Sequence, residues 1–393
     1  MDLNSVKNLE VSGKKVLVRV DYNVSVEKGI VSDDSRLRAT LPTINYLKEK
    51  GAKIVLCSHL GRPDGKIVEK LRLAPVGEHL STLLNQEVQC LDDSIGSDVQ
   101  DKINSLKPGD ILLLENLRFY PGEEKNDEEF SRLLAKPVDL FVNDAFGTAH
   151  RAHASTFGVT ALLPSCAGFL LEEEVEMLSQ VVQNPIRPLA AVMGGAKIGD
   201  KIPLIQNLMG KVDTFIIGGG MAATFYFAQG FSVGASLIEE NYLGLVKEIL
   251  LEGEEKGVKF CLPIDVVIAQ EPLAGTETKI CKPNEVPDNW KIFDVGPETI
   301  GVFSAALEGI KTVLWNGPMG IFEIPEFSKG TYQLADVIRS LPETRTIVGG
   351  GSTVEAIAAM GIEGEFTHVS TGGGASLEFL EGRTLPGIKP LYK

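Results

Sequence analysis

The chain is poor in cysteine. Cys57, Cys90, Cys166, Cys261 and Cys281 form an odd, scattered set with no Cys-x-x-Cys pair, which speaks against a disulfide framework and reads as free thiols in a reducing cytosol. Long hydrophobic runs are missing too. No apolar stretch reaches the ~18 residues that span a bilayer, and the longest uncharged candidate, "TFIIGGGMAATFYFAQG", is short and broken by glycine. The opening "MDLNSVKNLE" is polar and has no apolar signal region. The expectation is a cytoplasmic protein with no membrane partner. Positive charge is scarce: 38 Lys and Arg against 53 Asp and Glu leave a net charge of -15. That excess excludes nucleic acid as a general partner, although a local concentration of cations can still bind a small anion. Finally, the glycine turns carry neither G-x-x-x-x-G-K-[ST] nor G-x-G-x-x-G, which argues against a P-loop enzyme and a standard dinucleotide binder.

What is present is a repeated alternation. The 393 residues suggest about two domains. Glycine, at 41 residues, exceeds its usual share of roughly 7%, and most glycines follow apolar runs rather than forming linkers. In the first half, strands are expected at Val16–Val20, Ile54–Cys57, Ile111–Leu114 and Leu140–Val142. Amphipathic stretches such as "RATLPTINYLKEKGAK" and "APVGEHLSTLLNQ" separate them. The second half repeats the plan with strands at Leu189–Met193, Thr214–Ile217, Lys259–Leu262, Thr312–Trp315, Thr346–Val348 and His368–Ser370. Between the halves, Phe169, Leu170, Leu171, Val175, Leu178 and Val182 share one face of a connecting helix that ends at "NPIRP". Near-continuous apolar strands alternating with helices predict the α/β class: two doubly wound, Rossmann-like parallel-sheet domains joined by a helix.

In open parallel sheets ligands bind beyond the carboxyl ends of the strands. The first-half strands are followed by Asp21, Asn23 and Arg36; by "SHLGRP" with His59 and Arg62; by "ENLRFY" with Arg118; and by "NDAFGTAHRAHAS" with His150, Arg151 and His153. Every loop carries an arginine, in an acidic chain. Guanidinium forks bind carboxylate and phosphate bidentately, so the expected ligand is small and multiply anionic. A single such arginine is usually a solvated surface residue, and a single histidine usually packs. Asp21 and Asn23 suit ligand hydroxyls or hold the arginines. The second half offers different chemistry. "GGAKIGDK" is expected to place Lys197 and Lys201 on one face of the first turns of a helix. "GGGST" and "TGGGAS" are expected to open helices whose free N–H groups favour phosphate, although each glycine turn alone is common in any α/β protein. Together they suggest a nucleotide.

In order along nearly the whole chain, "VRVDYNVS", "SHLGRP", "LENLRFYPGEE", "VNDAFGTAHRAHAS", "GGAKIGDK", "WNGPMGIFE" and "STGGGASLE" resemble phosphoglycerate kinases. The resemblance implies two domains across a cleft, a monomer, and hinge closure around Ser165–Pro188 and Thr371–Ser376. Residues 1–167, joined by a returning tail at 378–393, would bind 3-phosphoglycerate or 1,3-bisphosphoglycerate. Residues 168–184 would form the connecting helix, and 185–377 would bind ATP or ADP carrying Mg2+. By motif, Asp21, Asn23, Arg36, His59, Arg62, Arg118 and Arg151 would hold the glycerate substrate. Lys197, Lys201, Ile292, Asn316, Pro318, Glu323, Gly349, Gly350, Gly351 and Ser352 would meet the nucleotide, with Glu323 on the ribose and amides from Gly372–Gly374 adding to them. Arg36, Lys197, Lys201, Gly350 and Gly373 would act on the moving phosphoryl. No residue is expected to bind metal directly.

Two departures from the family pattern stand out. The first motif continues Asn23-Val24-Ser25 where the family has N-V-P, and the family's "GGGD" is "GGGS", with Ser352 in place of the aspartate. A hydroxyl brings no charge to a hard cation that favours carboxylates; Glu355, one turn on, offers a compensating carboxylate. Two other classes stay open on the residues alone. One is a nicotinamide-dependent dehydrogenase, disfavoured by the missing G-x-G-x-x-G, and the other is a non-catalytic anion-binding protein.

Overall fold

The computed structural model describes residues 2–393. It divides into two compact units, one made of residues up to Glu176 together with Thr384–Lys393, the other of Met177–Arg383. The returning tail thus begins at Thr384. Residues 378–383, expected to travel with it, belong to the second unit, where the helix Gly374–Leu380 packs on the helix Ile202–Leu208 and Leu380 O accepts from Asn207 Nδ2 at 2.6 Å.

The strands of the first unit are β1 (Lys15–Arg19), β2 (Val26–Glu27), β3 (Ile30–Val31), β4 (Lys53–Cys57), β5 (Val88–Cys90), β6 (Ile111–Leu113), β7 (Leu140–Asn143) and β8 (Ser165–Ala167). Six of them form one sheet in the order β5-β6-β4-β1-β7-β8, every pair parallel, while β2 and β3 form a small hairpin. Side chains on a strand alternate between faces, and here both faces are dry. Val16, Val18, Ile54, Leu56, Ile111 and Val142 enter one core cluster; Leu17, Val55, Leu112 and Phe141 enter another on the opposite face. That double burial is why the strands read as unbroken apolar runs. The edge strands β5 and β8 and the hairpin were not expected. They are two or three residues long and too polar to stand out from their surroundings.

The helix Phe169–Val182 follows β8. Its start is fixed by acceptors of the first unit, one on the helix Ser35–Glu49 and one just after β7: Thr43 Oγ1 takes the Phe169 N–H at 2.9 Å and Asp144 Oδ1 takes those of Leu170 and Leu171 at 2.9 and 3.3 Å. Such caps satisfy amides that the helix itself leaves open.

The second unit contributes β9 (Leu189–Met193), β10 (Thr214–Ile217), β11 (Lys259–Cys261), β12 (Val266–Ala269), β13 (Lys279–Cys281), β14 (Lys291–Val295), β15 (Thr312–Asn316), β16 (Arg345–Gly349) and β17 (His368–Val369). Its main sheet runs β11-β10-β9-β15-β16-β17, all parallel. Ala190, Val192, Ile216, Val313, Trp315 and Val348 line a core beneath it. An antiparallel three-stranded sheet, β13-β12-β14, is an addition that the sequence reading missed. Its outer strands β13 and β14 carry exposed or half-exposed lysines and a cysteine, and the apolar β12 is a four-residue run that was not read as a strand.

Phe141 is fully buried in the first sheet. Phe141→Ala should remove about 3–5 kcal/mol from the first unit, measured as a lower denaturant midpoint for that unit's transition. An unshifted midpoint would mean that this core is not packed as described.

Candidate active site

Because all strands of each main sheet are parallel, the loops after their carboxyl ends open on one edge. In the first sheet β6, β4, β1 and β7 are neighbours. The connections after them carry Arg118, then His59 and Arg62, then Asp21 and Asn23, then Arg151; Arg36, expected on the loop with Asp21, stands instead in the first turn of the helix Ser35–Glu49 that follows it.

The polar groups of this edge interlock. Arg36 Nη1 pairs with Asp21 Oδ2. Asn23 Oδ1 accepts from Gly61 N at 2.8 Å, and Arg118 Nη1 donates to Gly61 O at 2.8 Å, so the turn before Arg62 is gripped from two sides. Arg118 is buried, and its Nε lies 3.1 Å from Glu124 without a directed hydrogen bond. Burial lowers the Arg118 pKa, with Glu124 acting against that shift. Arg151 donates to His150 Nε2 at 3.1 Å. Arg62 is exposed and has no ion pair among the described residues.

Behind these lies a set of residues that the sequence reading did not single out. Arg19, the last residue of β1, is 1% exposed although its strand is otherwise apolar. Its Nε donates to Ser155 Oγ at 2.8 Å, Nη1 donates to Val20 O, and Nη2 lies 3.2 Å from His59 Nδ1. Ser155 donates through its N–H and Oγ to Glu123 at 3.0 and 2.5 Å. Glu123 is fully buried, and burial pushes its carboxyl up while the Arg19 charge pulls it back. The signal in the sequence was the arginine within "VLVRVD"; Ser155 and Glu123 lie more than a hundred residues further along the chain. Burial, then the positive charges of Arg19, Arg118 and Arg36, hold the pKa of His59 well below its ordinary value. Burial and the same kind of neighbours hold His153 down to about 4. Both rings are therefore neutral near pH 7 and add donors and acceptors, not charge.

In the second unit, β9, β15, β16 and β17 end around a cavity of about 760 Å³, lined by Gly195, Lys197, Lys201, Asn316, Pro318, Gly350, Gly351, Ser352 and Gly373, among others. Glycine is required at two of these turns. Gly317 has φ +103°, and a Cβ there would collide with the Gly194 carbonyl; Gly350 has φ +89°, and a Cβ would lie 3.1 Å from Asn316 Nδ2. Gly350 and Gly373 precede the helices Gly351–Met360 and Gly374–Leu380 as their N-caps. Lys201 donates to Asn316 Oδ1, and the Asn316 Nδ2 remains a buried donor without a protein partner. Burial lowers the Lys201 pKa, with Asp200 and Glu381 acting the other way.

The expected helical placement of the two lysines needs correction. The helix begins at Ile202, so Lys197 and Lys201 stand on the turn before it and Lys197 is exposed. The reason is that Glu239 Oε2 takes the N–H groups of Ile198 and Gly199 and holds that stretch out of the helix. Gly349 lies within β16 and does not line the cavity, nor does the exposed Glu355. The acidic residues that do line it are Asp200, Glu378 and Glu381. A second cavity of about 380 Å³, mostly apolar, shares Gly195, Ala196, Pro318 and Ser352 with the first and adds Leu237, Ile292, Phe293, Phe322 and Glu323. An apolar slot continuous with a glycine- and lysine-lined chamber has the chemistry of a nucleoside joined to phosphates. No group of three or more His, Cys, Asp or Glu among the described residues is arranged to hold a metal.

A polyanion site on one sheet edge and a nucleotide-shaped chamber on another define a nucleotide-dependent phosphotransferase. Comparison with known proteins specifies it further. The family model for phosphoglycerate kinase matches residues 6–383, so the chain belongs to the phosphoglycerate kinase family. It is 53% identical over 387 residues to the phosphoglycerate kinase of Moorella thermoacetica, covering 98% of each chain, and 51% identical over 390 residues to that of Trichodesmium erythraeum, again covering 98% of each. Among solved structures it is similar to phosphoglycerate kinase from Coxiella burnetii, with a TM-score of 0.90, 42% identity and 99% of both chains covered. The Pyrococcus horikoshii enzyme matches with a TM-score of 0.85 and 32% identity, over 99% of this chain and 98% of that one. The chain is a transferase of glycolysis: it moves a phosphoryl group reversibly between 1,3-bisphosphoglycerate and ADP, giving 3-phosphoglycerate and ATP.

The His153 pKa fixes a sign. Its folded value of about 4 lies below the ordinary 6.5, so the unfolded chain binds more protons in that window. Its contribution to stability is complete above pH 6.5 and is lost as pH falls toward 4. Ring-proton NMR should find His153 mostly neutral at about pH 5.5, inside that window; a charged ring there would contradict the site's electrostatics.

Proposed function

We propose that the chain performs this transfer by positioning and charge neutralisation, without a general base. In the ATP-consuming direction the nucleophile is the carboxylate of 3-phosphoglycerate, already ionised at neutral pH because its pKa is about 4. What remains is to hold two polyanions together and to balance charge on the moving phosphoryl. The observation that carries this reading is the half-buried Lys201 held on the buried Asn316 in the glycine-lined chamber, a cation and a spare donor held where phosphate fits.

Arg36, Arg62, Arg118 and Arg151 are the candidate ligands of the substrate's phosphate and carboxylate, with Asp21, Asn23 and His59 orienting them and reaching hydroxyls. Arg19 and Glu123 support this set from behind. Lys197, Lys201, Asn316, Gly350, Gly351 and Gly373 are the candidate phosphate contacts, while Ile292, Pro318 and Glu323 take the nucleoside. Mg2+ entering with the nucleotide would offset phosphate charge, and Ser352, which lines the chamber, would offer it only a hydroxyl. In this reading the enzyme is a cytoplasmic monomer with one half-site in the unit that ends at Glu176 and includes Thr384–Lys393, the other in Met177–Arg383. Transfer then requires hinge closure when both ligands are bound, which also excludes water.

Losing a preorganised donor of this kind costs about 10²–10³ in rate. Arg36→Ala and Lys201→Ala should each fall at least that far in a coupled assay with 3-phosphoglycerate and MgATP. Near-native turnover in either variant would remove that residue from the mechanism. Ser352→Asp should tighten MgATP binding, measured by calorimetry across Mg2+ concentrations. An unchanged dissociation constant would show that this position does not govern the cation.

A further inference from the structure

We propose that Glu239 is a positioning residue of the nucleotide site: its carboxylate sets the shape of the Lys197–Lys201 turn, and the segment Ser236–Glu239 ties that turn to the apolar nucleoside slot. The proposal rests on the reading of Lys197 and Lys201 as phosphate contacts.

The chain must leave β9 and change direction before the helix at Ile202. In doing so it exposes the N–H groups of Ile198 and Gly199, between the two lysines. One oxygen, Glu239 Oε2, accepts both, at 2.5 and 3.1 Å. Bonds from amides to a carboxylate are among the stronger hydrogen bonds. The same turn rests on an aromatic floor. A Cβ on Gly199 would lie 2.7 Å from the Tyr242 ring, so only a glycine backbone sits this close. The turn is thus held by Glu239 at its amides and by Tyr242 beneath Gly199.

Glu239 is fixed in turn. Its own N–H lies 3.3 Å from Thr224 Oγ1, on the helix Ala222–Ala228 that follows the glycine turn Gly218–Gly220. Three residues earlier, Ser236 Oγ accepts from Ile292 N at 3.0 Å. Ser236, Leu237, Ile292 and Gly220 all line the apolar slot. Four consecutive residues therefore touch the nucleoside slot at one end and grip the lysine turn at the other. A carboxylate near a phosphate site is an electrostatic liability unless its charge is met by donors; the two amides meet it here.

The test compares Glu239→Ala and Glu239→Gln with the unaltered protein. It measures kcat and KM for MgATP in the coupled assay, and the affinities of MgATP and adenosine by calorimetry. A misplacement of about 1 Å at reacting groups can cost about 10²-fold, so Glu239→Ala should lose kcat/KM on that order while adenosine affinity changes by less than about twofold. Glu239→Gln keeps an acceptor oxygen and should recover most of the loss. The proposal is overturned if the alanine variant keeps near-native kcat/KM. It is overturned equally if MgATP and adenosine weaken together, or if glutamine is as poor as alanine, because each of these marks a general structural role. A separate outcome tests the underlying site: if the unaltered protein binds MgATP no more tightly than adenosine, the lysine turn is not a phosphate site and both readings fall.

Discussion

The structure depends on keeping positive charge partly dry. A net charge of -15 would repel a polyanionic substrate if it were spread evenly, so cations have to be concentrated and held. Burial makes each of them costly, because a cation loses hydration. The molecule meets that cost with partners that leave the charge usable. Arg19 spends its donors on Ser155, Val20 and His59; Arg118 is anchored on the Gly61 carbonyl; Lys201 rests on the neutral Asn316 amide rather than on a direct carboxylate partner. A neutral acceptor holds a lysine in place without cancelling its field. The lowered pKa values of Arg118, Lys201, His59 and His153 are the imprint of that arrangement.

The parallel sheets are what make the concentration possible. Parallel strands deliver every following loop to the same edge, and the dry core on each face keeps the strands rigid. Polar groups anchored by hydrogen bonds over such a rigid platform lose little entropy when ligand binds. In the second unit the glycine turns let backbone approach backbone: Gly195 N reaches Pro318 O at 2.9 Å and Gly219 N reaches Met319 O at 3.0 Å. Side chains there would fill the chamber.

Much of this was legible in the sequence for physical reasons. Strands buried on both faces cannot hide, and Leu189–Met193 and Thr214–Ile217 fall where the apolar runs lie. The positions of Arg36, His59, Arg118 and Arg151 after strands followed from the same reading. Less legible were features that depend on distant partners. Arg19 looked like part of a strand, because only Ser155, Glu123 and His59 make it part of the site. Lys197 and Lys201 looked helical by spacing, because nothing local reveals that Glu239 will claim the intervening amides. The sheet β13-β12-β14 went unseen because lysines interrupt its outer strands and the apolar β12 lies between loops rather than before a helix. The matching family and relatives fix the reaction; the roles of individual residues rest on the geometry described.

The central claim is that placed cations, and no proton-transferring side chain, carry the chemical step. The direct measurement is the pH dependence of single-turnover phosphoryl transfer from MgATP to 3-phosphoglycerate at saturating ligands. A step without a general base should be flat between about pH 7 and pH 8.5. A rate that rises through that range along a single ionisation, and loses the rise when one protein side chain is replaced, would contradict the account.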